Sequence, residues 1–133
     1  MTLDDLKNGR HLADDCPVVN IAKFQNENFI LMKKGNDMQR RAQIIFEEAS
    51  IEPKVRITLD QLITSYNLTR AGMGITFITD MLAIYSNDNS CLFYKLDTQN
   101  IKRSMFIGYK KNRYLTKSCR AFIEVAKQVY KSN

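Results

Sequence analysis

The chain lacks most of what specialised chemistry requires. No stretch approaches the roughly 18 apolar residues that a membrane-spanning helix needs. The N-terminus, Met1 to Asp15, carries four acids and no hydrophobic h-region, so it does not read as a secretory signal. Histidine occurs once, at His11, in a polar segment. The three cysteines, Cys16, Cys91 and Cys119, are far apart and form no CxxC pair. Zinc needs Cys and His in ligand spacing, and a Ser-His-Asp triad would have to recruit His11. No metal site, catalytic residue or cofactor is therefore expected. Free thiols fit a reducing, cytoplasmic compartment.

What remains is an ordinary globular composition. The 133 residues are 44% hydrophobic and 26% charged, enough for one domain with a real core. The net charge of +6 is unevenly placed. Residues 1–100 hold 11 Lys/Arg and 13 Asp/Glu, whereas residues 101–133 hold 9 Lys/Arg and one acid, Glu124. Such a block fits a nucleic-acid footprint or the solvated face of a final strand and helix. Leu115, Cys119, Phe122, Ile123, Ala126, Val129 and Tyr130 recur at helical spacing, which favours a helix docked on a core with a basic outer face.

Periodicity predicts the order β-α-β-α-β-α-β-β-α after a polar N-terminal segment, residues 1–17. Phe29–Met32 reads as a buried strand and Lys33-Lys34-Gly35-Asn36 as its turn. A helix follows from Asp37, with Met38, Ala42, Ile45, Phe46 and Ala49 on one face. Asn36 stands at N-cap position, with Gln39 in capping-box spacing. Val55–Thr58 is a second strand. Thr58-Leu59-Asp60-Gln61 is a Thr-x-x-Gln box opening a helix that buries Leu59, Leu62, Ile63 and Tyr66 and stops at Gly72. Ile75–Ile78 is a third strand, Thr79-Asp80 opens a short helix to Tyr85, and Ser86–Ser90 is a turn. Cys91–Leu96 and Ser104–Tyr109 are the last strands, and the final helix begins near Thr116.

Strands alternating with helices argue for an α/β domain with a mixed, mostly parallel sheet. Ligands of such sheets gather beyond the strands' carboxyl ends, at helix N-termini. Those places are Lys34 to Asp37, Thr58 to Gln61 and Ile78 to Asp80. The first also reads as an ordinary strand-to-helix turn with solvated lysines, and the second as Thr58 and Gln61 capping their own helix. Gly72-Met73-Gly74 follows a helix and precedes a strand, the reverse of a dinucleotide loop. Asn67-Leu68-Thr69 matches a glycosylation acceptor but lies within a helix. Glu47 and Glu48 are adjacent and do not share a helix face, so they do not make an acid/base pair.

Several segments together resemble LysR-type transcriptional regulators. Leu59 to Leu62, followed by Arg70-Ala71-Gly72-Met73-Gly74-Ile75-Thr76-Phe77-Ile78, resembles the family's Val-Ala-Ala-Gly-Leu-Gly-Ile segment. Phe29 to Asn36 resembles the strand and turn before the first helix of its second effector subdomain. Met105 to Phe122 resembles the closing strand and helix, and His11-Leu12-Ala13 with Val19-Asn20-Ile21 the segment that leads in. The likeness covers about residues 10–130. Two prolines of the family pattern are replaced here, by Leu12 and Thr79.

The resemblance implies a periplasmic-binding-protein-like (type 2) fold, with residues 18–133 as an effector-binding subdomain plus its return strand and helix. It implies a sensor: a small metabolite in a cleft between two subdomains biases hinge closure. DNA would be bound only through a winged helix-turn-helix that, with a linker helix and a first subdomain, lies upstream of this region in the family. The effector residues it implies are Gly35, Asn36, Asp37, Met38, Thr58, Leu59 and Gln61, with Thr79, and the effector is expected to be anionic or polar. The chain alone would bind DNA weakly, without sequence preference and with strong salt sensitivity. The apolar face at Phe122, Ile123, Val129 and Tyr130 would fold back on the chain's own sheet or dock on a second copy, giving self-association as a homodimer. A stand-alone small-molecule binding module and a basic nucleic-acid-binding protein are the competing readings.

Overall fold

The computed structural model describes residues 14–86, 89–102 and 106–129. Backbone alone is described at Ile84, Tyr85, Ile101 and Val129. The chain divides into two compact units, one ending at Lys102 and the other containing everything from Arg103 onward.

In the first unit, β1 (Val18–Val19) is followed by a 3-10 turn at Ile21–Phe24, β2 (Asn28–Met32) and α1 (Asp37–Glu48). Then come β3 (Lys54–Leu59), α2 (Leu62–Arg70), α3 (Asp80–Ser86) and β4 (Lys95–Leu96), with a second 3-10 turn at Gln99–Ile101. Among the described residues the strand pairings are parallel: β1 with β4, and β2 with β3. Parallel neighbours need a crossover, and α1 supplies it between β2 and β3.

The β2 sequence explains its central place. Phe29 and Ile30, on opposite faces of the strand, are 1% and 0% exposed, as a strand covered on both sides requires. Phe29 joins Ile21 and the α1 residues Ala42, Ile45 and Phe46 in one apolar cluster. Its ring meets Phe46 edge-on at 5.0 Å, and Phe77 lies 6.3 Å away. The sheet partner β3 is an edge with Val55 exposed. Its register slips between Phe29 and Ile30, leaving Arg56 as an extra residue whose guanidinium donates to Met73 O at 3.0 Å.

The expected third strand, Ile75–Ile78, is reduced to a bridge. Ile75 pairs with Phe29 in parallel: Ile30 N–H donates to Ile75 O at 2.8 Å and Ile75 N–H to Asn28 O at 2.9 Å. Beyond it the Thr76 hydroxyl, which donates to Ile30 O at 2.8 Å, takes the acceptor that a longer ladder would use. Cys91–Leu96 likewise contracts to Lys95–Leu96, because the partner strand β1 is only two residues long. Of Ser104–Tyr109, the first two residues lie outside the described set and the rest form no regular strand.

Two capping expectations are also corrected. Asn36 does cap α1, its Oδ1 accepting from Met38 N–H at 2.8 Å, but Gln39 bonds Gln43 rather than returning to the cap. Thr58 opens no helix. β3 runs on to Leu59 because β2 continues to pair with it, so α2 starts three residues later than the Thr-x-x-Gln pattern implies. Gln61 is the N-cap and makes no side-chain cap bond. Leu59 therefore lies in a strand, and α2 buries Ser65 and Tyr66 while Ile63 is 49% exposed. Gly72, with φ of 77°, ends that helix as expected.

The second unit contains α4 (Lys117–Val129), with the Thr116 hydroxyl accepting from Cys119 N–H at 3.2 Å. Its helical spacing is as read, but the expected apolar face is only partly covered: Ile123 and Ala126 are half-buried, whereas Phe122 is 66% exposed. The three cysteines are free, and burial, then the nearby Asp15 charge, pushes the Cys16 thiol up.

Candidate functional site

The β2–β3 register decides which predicted residues meet. Leu31 lies opposite Thr58 and Met32 opposite Leu59, so both strands end level. Each then turns into a helix, at Lys33–Asn36 before α1 and at Asp60–Gln61 before α2. The turns are tied twice: Lys33 N–H donates to Leu59 O at 2.9 Å, and Lys33 Nζ reaches Asp60 Oδ2 at 2.8 Å. Both side chains of that ion pair are mostly exposed, so it is worth no more than about 1 kcal/mol. It orders the rim rather than holding the fold.

Gly35 occupies the first turn with a φ of 93°. Asn36, Asp37 and Met38 are half-buried there, Leu59 is half-buried across the register, and Thr58 and Gln61 are exposed. These seven residues are thus brought to one end of the β2–β3 pair. Thr79 belongs to the third segment, which runs parallel to β2 from Ile75. Its hydroxyl accepts from Leu82 N–H at 3.4 Å and so serves the opening of α3.

Between the end of β2, the first turn of α1 and the third segment lies a shallow depression of about 10 Å³, lined by Met32, Met38, Thr76 and Phe77 among others. Ligand pockets usually enclose about 300–1,000 Å³, so this depression by itself has room for no more than about one water. Thr76 and Phe77 were not among the residues expected from sequence. The signal for them is weak, since the apolar run Ile75–Ile78 reads as pure core.

Asp37 is bracketed by Arg40 Nη2 at 2.7 Å and Arg41 Nε at 2.8 Å. Hydrogen bonds from Arg41, then Arg40, hold its carboxyl below the ordinary value of 3.8. Because the folded value is depressed, the pairing contributes in full above the unfolded value and is lost as pH falls through the folded one. A carboxyl-carbon NMR titration is expected to give Asp37 a lower midpoint than a free aspartate. A midpoint at or above 3.8 would mean that the two arginines do not hold it in solution.

Among the described residues, no group of three or more His, Cys, Asp or Glu is placed to hold a metal ion. Nor is any described helix long and apolar enough to cross a membrane.

Comparison with known proteins fits this geometry. The LysR substrate binding domain family matches residues 8–131. Two curated relatives, both HTH-type transcriptional regulators of Bacillus subtilis (strain 168), are similar to the chain. YcgK is 24% identical over 115 residues, covering 86% of this chain and 35% of its own length. YybE is 23% identical over 104 residues, covering 78% of this chain and 35% of its own. The chain thus spans about a third of the length of the curated relatives it matches. The family implies the type 2 periplasmic-binding-protein-like fold, and the parallel βαβ unit built here is consistent with it. With the family matched over nearly the whole chain, this protein belongs to the LysR substrate binding domain family.

Proposed function

We propose that the chain is the effector-sensing part of a cytoplasmic LysR-type bacterial transcriptional regulator and has no catalytic role of its own. A small anionic or polar metabolite binds where the strands end. Gly35, Asn36, Asp37 and Met38 contribute from the first turn, Thr58, Leu59 and Gln61 from the second, and Thr79 from the third segment. The observation that carries this reading is the level ending of β2 and β3, which sets two helix starts side by side. The opposite wall of the cleft belongs to another subdomain of the regulator, and closure of the cleft alters DNA binding by an upstream helix-turn-helix.

Titration of small carboxylates and phosphate esters into the isotopically labelled chain tests the site. A true effector is expected to shift the amides of Gly35–Met38 and Thr58–Gln61 together. A tight binder that perturbs neither turn would remove the site from these positions.

The exposed Phe122 and Val125 on α4 support the further expectation that the protein pairs with a second copy. Sedimentation at high micromolar concentration is expected to give a dimer, and a strictly monomeric species would refute this.

A further inference from the structure

We propose that Arg41 is a positioning residue, tying the start of α1 to the stretch of chain that leads out of the first unit. The proposal rests on the effector reading, since it concerns how that site is coupled to the rest of the molecule.

Arg41 bonds in two directions at once. Its Nε donates to Asp37 Oδ2 at 2.8 Å, at the first residue of α1. Its Nη1 donates to Lys102 O at 2.9 Å and, at the longer distance of 3.4 Å, to Asn100 O. Lys102 is the last residue of the first unit, and the chain passes from it to Arg103 and the second. Nε and Nη1 belong to one planar guanidinium, so they cannot move independently. A group that draws Asp37 away from Arg41, or that competes with Asp37 for it, also moves the hold on the Lys102 carbonyl.

The neighbouring arginine is a useful contrast. Arg40 also pairs with Asp37, but its side chain is 64% exposed against 23% for Arg41. Helix geometry explains why Arg41 reaches the exit segment. Glu48 lies two turns further along α1 and therefore on the same face. Its carboxylate accepts from the Thr98 hydroxyl at 2.7 Å and from the Asn100 side-chain amide. The segment from Thr98 to Lys102 is thus held against α1 at two points, by Glu48 near the helix end and by Arg41 near its start. Only the Arg41 point connects to the candidate effector site.

Backbone amide exchange of the whole chain, measured without any effector, tests this. Arg41→Gln removes the fork and is expected to speed exchange across residues 97–102 by about tenfold, while Phe29–Met32 stay protected. Asp37→Asn leaves the fork but frees it, and is expected to speed the same amides several-fold. The double variant should exchange no faster than Arg41→Gln alone, because the two residues act in series. Arg41→Lys keeps the charge but cannot bridge carboxylate and carbonyl together, so exchange should remain fast.

Unchanged exchange in Arg41→Gln would overturn the tether. Fast exchange in Arg41→Gln with none in Asp37→Asn would overturn its link to the site, as would additive effects in the double variant. Wild-type behaviour of Arg41→Lys would show that charge alone suffices and overturn the bridging role. Since no effector is used, these outcomes stand apart from the titration above, which tests the site itself.

Discussion

Alanine at Gly74 is expected to cost about 3–5 kcal/mol of unfolding free energy, combining overpacking, backbone strain and a lost sheet hydrogen bond. A Cβ there would stand 2.4 Å from Asn28 O, which no real contact permits. That oxygen accepts from Ile75 N–H at 2.9 Å, so relieving the clash breaks the pairing that anchors the third segment to β2. Backbone on both sides of the contact leaves no flexible side chain to yield. Gly72→Ala is the control. It has a φ of 77° but open space around its Cβ, so it should cost only about 1 kcal/mol. Urea unfolding of both variants reads the difference. Equal losses would mean that the approach of Gly74 to β2 is not kept in solution.

Phe29→Ala is expected to cost about 3–5 kcal/mol, a large share of the 5–15 kcal/mol by which a typical domain is stable. Phe29 is 1% exposed, and its ring is the one that both Phe46 and Phe77 pack against. Phe46 and Phe77 are themselves 5.5 Å apart, so removing Phe29 leaves a cavity walled by two rigid rings that cannot collapse into it. Phe122→Ala makes the comparison informative. At 66% exposure it should change stability by no more than about 0.5 kcal/mol in dilute solution. A loss at Phe122 that grows with protein concentration would instead place that ring in an interface between copies.

Local signals were legible where the side chain and the backbone asked for the same thing. Asn36 at the N-cap, the α1 face of Ala42, Ile45 and Phe46, and the Gly72 stop all appear where the sequence places them. Thr58 opens no helix because a capping pattern is local, whereas β3 is extended to Leu59 by its partner. A strand end is set by the chain it pairs with, and no four-residue window contains that information.

The same distinction holds for the candidate site. Periodicity pointed to an α/β domain with three strand-to-helix turns, and the resemblance to a regulator family implied a sensor. The sequence alone determined the Asn36 cap, the Gly72 stop and the apolar face of α1, because helix caps, glycine stops and apolar spacing act over a few residues. The tertiary structure decided which turns meet. The parallel register sets Met32 level with Leu59, Lys33 reaches Asp60 across 27 residues of chain, and Arg41 reaches Lys102 across 61. It also decided that Thr76 and Phe77 line the depression between β2 and α1. Such contacts depend on how strands align and helices pack, which are long-range terms that no local pattern encodes.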